Sequence, residues 1–168
     1  MDTGNRRVPT PVLRGVIGHG VLLAHPLDAP RVRATLENAG YAVAEARLGG
    51  VASADGNGVV APLRRGQAAV ADALRLPETA GRNLDALVDS LRDLATWWPG
   101  QDRVALLLHR AETLVDADLP AWHSLTDILV RAVHELRPEG PGHVDLSVVA
   151  FVDGHGVRPL PMDQDLGE

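Results

Sequence analysis

The sequence predicts an α/β fold in which a small, mainly parallel sheet is flanked by helices. Segments with helical spacing of apolar residues alternate along the chain with short apolar runs rich in β-branched residues. Strands that alternate with helices join through right-handed crossovers into parallel sheets. At 168 residues and 45% hydrophobic content, the chain can bury one substantial core. It holds no cysteine, so packing rather than covalent cross-linking has to stabilise it.

The elements follow in order. The first dozen residues, rich in Pro, Gly and Arg, are expected to be poorly ordered. An apolar stretch from Val16 to Ala24 reads as extended. A short helix comes next, with Asp28 as N-cap, Pro30 in the first turn, Val32 and Leu36 on one face, and Gly40 as the C-terminal stop. Tyr41 to Leu48 reads as a strand, and GGVASADGNG as a turn-rich loop. In APLRRGQAAVADALRL, Leu63, Val70 and Leu74 give a helix of about ten residues that stops before Pro77. Asn83 caps the next helix, whose apolar face is Leu84, Leu87, Val88, Leu91 and Leu94.

Arg103 to Arg110 is a continuous apolar run between turn signals, as expected of a strand buried on both faces. A long helix from about Pro120 to Arg137 carries Trp122, Leu125, Ile128, Leu129, Val133 and Leu136. Asp116 and Asp118 precede it and read as caps, while Trp122 reads as core. His143 to Gly154 is a final strand, followed by a polar tail. Trp97 and Trp98, at the end of the Asn83 helix, fit packing at the helix end better than an exposed anchoring role.

The charge balance, 22 acids against 16 bases and a net charge of -6, argues against a broad nucleic-acid surface and favours a basic partner. No apolar run approaches the roughly 18 residues of a membrane span. MDTGNRRVPTP lacks the apolar core of a secretion signal, so a cytoplasmic location is expected, with no membrane partner. The seven histidines fall into neither HxxxH nor HExxH spacing, and no phosphate loop, GxSxG elbow or dinucleotide fingerprint is present. No catalytic residue, metal or other cofactor is expected.

The segment LPETAGRNLDALVDSLRDL concentrates the functional interest. Asp85, Asp89 and Asp93 stand at four-residue spacing, which stacks three like charges on one helical face at a cost of a few tenths of a kcal/mol per pair. Either water compensates them, as on any solvated face, or another protein does. Arg82 and Arg92 stand near enough in sequence to neutralise part of the stripe.

The same segment resembles the signature of barstar-like proteins. The matching positions are Leu76, Pro77, Gly81, Asn83, Leu84, Asp85, Ala86, Leu87 and Asp89, and the downstream strands and helix keep the family's order over residues 41–153. The resemblance implies a three-stranded parallel sheet for that domain, preceded by a strand and helix extension (1–40) and followed by a polar tail (154–168). It also implies an inhibitor or immunity protein that blocks a basic ribonuclease or toxin. Asp85 and Asp89 then match the carboxylates that enter the nuclease site, positioned by Gly81 and Asn83. A phosphate-binding site is itself cationic, so carboxylates on a rigid helix imitate its substrate's charge.

The chain departs from the pattern at Thr79 and Val88, where the family has aromatics, and at Asp93-Leu94, where it has Gly-Trp. Arg131 aligns with an acidic position. These departures leave open a second reading, an interaction or regulatory module that has lost inhibition, with residues 1–40 supplying a contact surface.

Overall fold

The computed structural model describes residues 20–49, 61–136 and 143–161. The expectations for the first dozen residues, for Val16 to His19, for most of the GGVASADGNG loop and for the chain beyond Pro161 lie outside the described residues.

The strands are β1 (Val21–Ala24), β2 (Ala42–Arg47), β3 (Arg103–His109) and β4 (Asp145–Phe151). The helices are α1 (Ala29–Asn38), α2 (Pro62–Ala73), α3 (Leu84–Arg92), α4 (Leu94–Trp97), α5 (Glu112–Ala117) and α6 (Leu119–Glu135). The sheet is parallel throughout the order β1-β4-β3-β2. It therefore has four strands, not three: the extended segment ahead of α1 pairs Val21 to Ala24 with Val148 to Phe151. The sheet's progress explains the layering. The connection through α1 steps from β1 across to β2, and the later crossovers step back towards β4, so crossovers of one hand put α1 on one face and α2 to α6 on the other.

β3 sits inside the sheet, and its central residues Val104 to Leu108 are wholly buried. Alternation sends Ala105 and Leu107 to the α1 face, where they meet Val32, Leu36, Val149 and Phe151. Val104, Leu106 and Leu108 join the larger core with Val70, Leu74, Leu87, Leu91, Leu125 and Leu129. Each such side chain contributes about 1.5–3 kcal/mol on burial, which is what keeps a sheet with two covered faces together.

Helix ends follow local chemistry. Gly40, at φ 84°, stops α1 in a Schellman arrangement in which Tyr41 N–H donates to Leu36 and Gly40 N–H to Glu37. The end of α2 repeats this pattern with Arg75 at the left-handed position, φ 59°, and its neighbour Leu76 buried. Asp28 precedes α1 but makes no capping bond. Its buried carboxylate instead accepts from Leu160 N–H at 2.9 Å, fastening the segment after β4 to the start of α1. A short helix, α5, lies where only caps were expected. No described helix is long and apolar enough to cross a membrane.

Candidate functional site

The site is built from the chain between Pro77 and α3. A 3-10 turn, Glu78–Gly81, brings the chain off the end of α2. Buried Gln67 of α2 reaches it, donating from Nε2 to the Ala80 carbonyl at 2.8 Å. Gly81 lies against the same helix. A Cβ there would stand 3.3 Å from Ala68 Cα, closer than an ordinary contact, so a bare backbone suits the position. Arg82 pairs with Glu78 across the turn rather than with Asp85.

Asn83 then caps α3, its Oδ1 accepting from Asp85 N–H at 2.8 Å. Asp85 is exposed in the first turn, where the helix dipole favours an anion. It makes no ion pair among the described residues. Asp89 is exposed one turn later, but its Oδ1 accepts from Arg92 Nη1 at 3.2 Å. Arg92 at the same time donates from Nε to Glu135 of α6 at 3.0 Å. The hydrogen bond to Glu135 is the foremost cause that raises the Arg92 pKa above its ordinary value.

The expected three-acid stripe runs to the very end of the helix. α3 ends at Arg92, and Asp93 is the exposed joint into the four-residue α4. Asp85 and Asp89 lie within the helix, and Asp93 caps its end with its N–H still donating to the Asp89 carbonyl at 3.3 Å. Thr79 is exposed in the 3-10 turn, and Val88 is half-buried against α6.

Both neighbouring tryptophans turn inward. Trp98 is buried, donates from Nε1 to the Leu74 carbonyl at 2.9 Å and carries the Arg75 guanidinium 4.3 Å from its ring centre. Trp97 is half-buried with its Nε1 enclosed. They brace the helix end, and Trp122 is likewise core. Asp118 caps α6 by accepting from Ala121 N–H at 3.0 Å, whereas Asp116 pairs with His155 at 2.8 Å. Among the described residues, no three metal-ligating side chains come together.

Two supporting residues were invisible to local spacing. Gln67 is one polar position among several in an Ala-rich helix, and Glu135 stands 43 residues from the Arg92 it binds.

Together these features define a small α/β protein whose parallel sheet carries a capped, acidic helix start. The family model described as barstar, the barnase inhibitor, matches residues 60–147, more than half the chain. The chain belongs to the barstar family. No curated protein and no solved structure matches it.

Proposed function

We propose that this protein is a cytoplasmic, non-enzymatic inhibitor or immunity protein that docks on the active site of a basic ribonuclease or toxin. The observation that carries this reading is the family match, which spans the rigidly capped helix with its exposed Asp85. Residues 41–153 form the inhibitory domain in this reading, with 1–40 as an extension and 154–168 as a tail. Asp85 supplies the unspent negative charge, and Asp89 adds its charge through a carboxylate already shared with Arg92. Gly81 and Asn83 hold the helix start in place, while Thr79, Val88 and Asp93 border it. Opposite charge speeds the encounter with a cationic cleft, and close pairs slow dissociation.

The test is inhibition of a barnase-type ribonuclease at low and high salt. Asp85→Ala is expected to weaken inhibition by about tenfold, a loss of about 1.4 kcal/mol, and to flatten its salt dependence. Equal inhibition by the variant at every salt concentration would remove Asp85 from the interface.

The pairing of Asp89 inside the molecule, with Thr79 and Val88 in place of aromatics, favours a second reading: a regulatory module on the same fold that no longer inhibits. That reading expects no inhibition of basic ribonucleases by the wild-type protein at stoichiometric excess.

A further inference from the structure

We infer that the cleft between α3 and α6 sorts partners by charge, fitting a protein surface that sets a cation against Asp85 and a carboxylate against Arg131. This rests on the α3 face being the docking site. At about 100° per residue, Val88, Arg92, Asp85 and Asp89 follow one another across the solvent side of α3. Arg92 leans to α6 and is held there by Glu135, while it also holds Asp89. α6 contributes Ile128 and Arg131 to the cleft, with Val88 and Ile128 as its half-buried apolar floor. The surface thus runs from Asp85, through the paired Asp89, Arg92 and Glu135, over the apolar floor to Arg131.

The internal pairing decides which charges remain for a partner. Asp89 and Glu135 share one guanidinium, so neither presents a full unspent charge. Asp85 on one side and Arg131 on the other make no ion pair among the described residues. Asp127 and Glu135 stand one turn either side of Arg131, yet neither is bonded to it. A uniformly basic surface gains at Asp85 and is repelled at Arg131. A surface of mixed sign gains at both, which makes Arg131 a specificity-determining residue.

A barnase-type ribonuclease, whose substrate site must be cationic to hold phosphate, serves as the basic probe in a calorimetric titration at two salt concentrations. Arg131→Glu is expected to bind it at least tenfold more tightly than the wild type and with steeper salt dependence. Asp85→Ala is expected to bind more weakly than the wild type. Arg131 and Asp85 are both exposed, so both substitutions leave the core intact, and thermal melts of the variants check this. Arg131→Glu binding no tighter than wild type, while Asp85→Ala weakens binding, overturns the charge filter and leaves the docking face standing. Asp85→Ala binding as tightly as wild type removes the docking face itself. Binding gained by Arg131→Glu where the wild type shows none supports the filter, and no binding by either removes both.

Discussion

Gln67→Met isolates the bond that holds the turn ahead of the acidic helix. Methionine keeps the length and nearly the volume of glutamine, so the buried space stays filled, but the Ala80 carbonyl loses its 2.8 Å donor. Ala80 is fully buried and Gln67 is 3% exposed, so water cannot readily replace that donor. Leaving a buried acceptor unsatisfied costs about 1–3 kcal/mol. For a chain of this length, where 1 kcal/mol moves the midpoint by about 2–4 °C, the melting temperature should fall by about 2–12 °C. Thermal and urea denaturation followed by circular dichroism give both numbers, and amide exchange at Arg82 and Asn83 reports whether loosening is centred on the turn. A stability change below about 0.5 kcal/mol, the range of an ordinary surface substitution, would refute the claim that this bond anchors the turn.

Removing the cap by Asn83→Ala should cost about 1 kcal/mol in chemical denaturation and speed amide exchange at Asp85. Asp28→Ala should cost about 1.5–3 kcal/mol, because Leu160 N–H loses a charged acceptor, and proteolysis should then begin in the segment after β4. Tyr41 gives an alkaline signature. Burial, the foremost cause, raises its phenol pKa above the ordinary value of about 10, and its hydroxyl donates to Asp145 at 3.0 Å. The folded state therefore retains the proton longer than the unfolded chain. Its contribution to stability is complete below about pH 10 and is lost as pH rises through the folded pKa. As the chain has one tyrosine, tyrosinate absorbance reads this group alone, and Tyr41→Phe should flatten the alkaline fall in stability.

Much of this arrangement was legible because its causes are local. Asn83, the spacing of Leu84, Leu87 and Leu91, and Gly40 after α1 each act within a turn of chain, and each appears where the pattern places it. The continuous apolar run in β3 was equally direct, since an internal strand needs no polar face. Expectations failed where a distant partner decided the outcome. Asp28 has the composition of a cap but is claimed by Leu160, 132 residues away. The family pattern begins after the first strand, so it carried no sign that Val21 to Ala24 pairs with β4 and widens the sheet to four strands. At the site, carboxylates at four-residue spacing were plain, but the sharing of Arg92 between Asp89 and Glu135 depends on how α3 and α6 pack. The end of α3 at Asp93 was likewise hidden, because Leu94 continues the apolar spacing through the break.

The strand order also bears on how the chain is made. Of the described strands β4 is the last to leave the ribosome, yet it lies between β1 and β3. Until Asp145 to Phe151 emerges, β1 lacks the strand it pairs with and the inner edge of β3 stays open. Early synthesis can assemble α1 and the β2-β3 pair, but the acidic helix acquires its finished support only after β4 has emerged. Among the four described strands, the first made waits for the last.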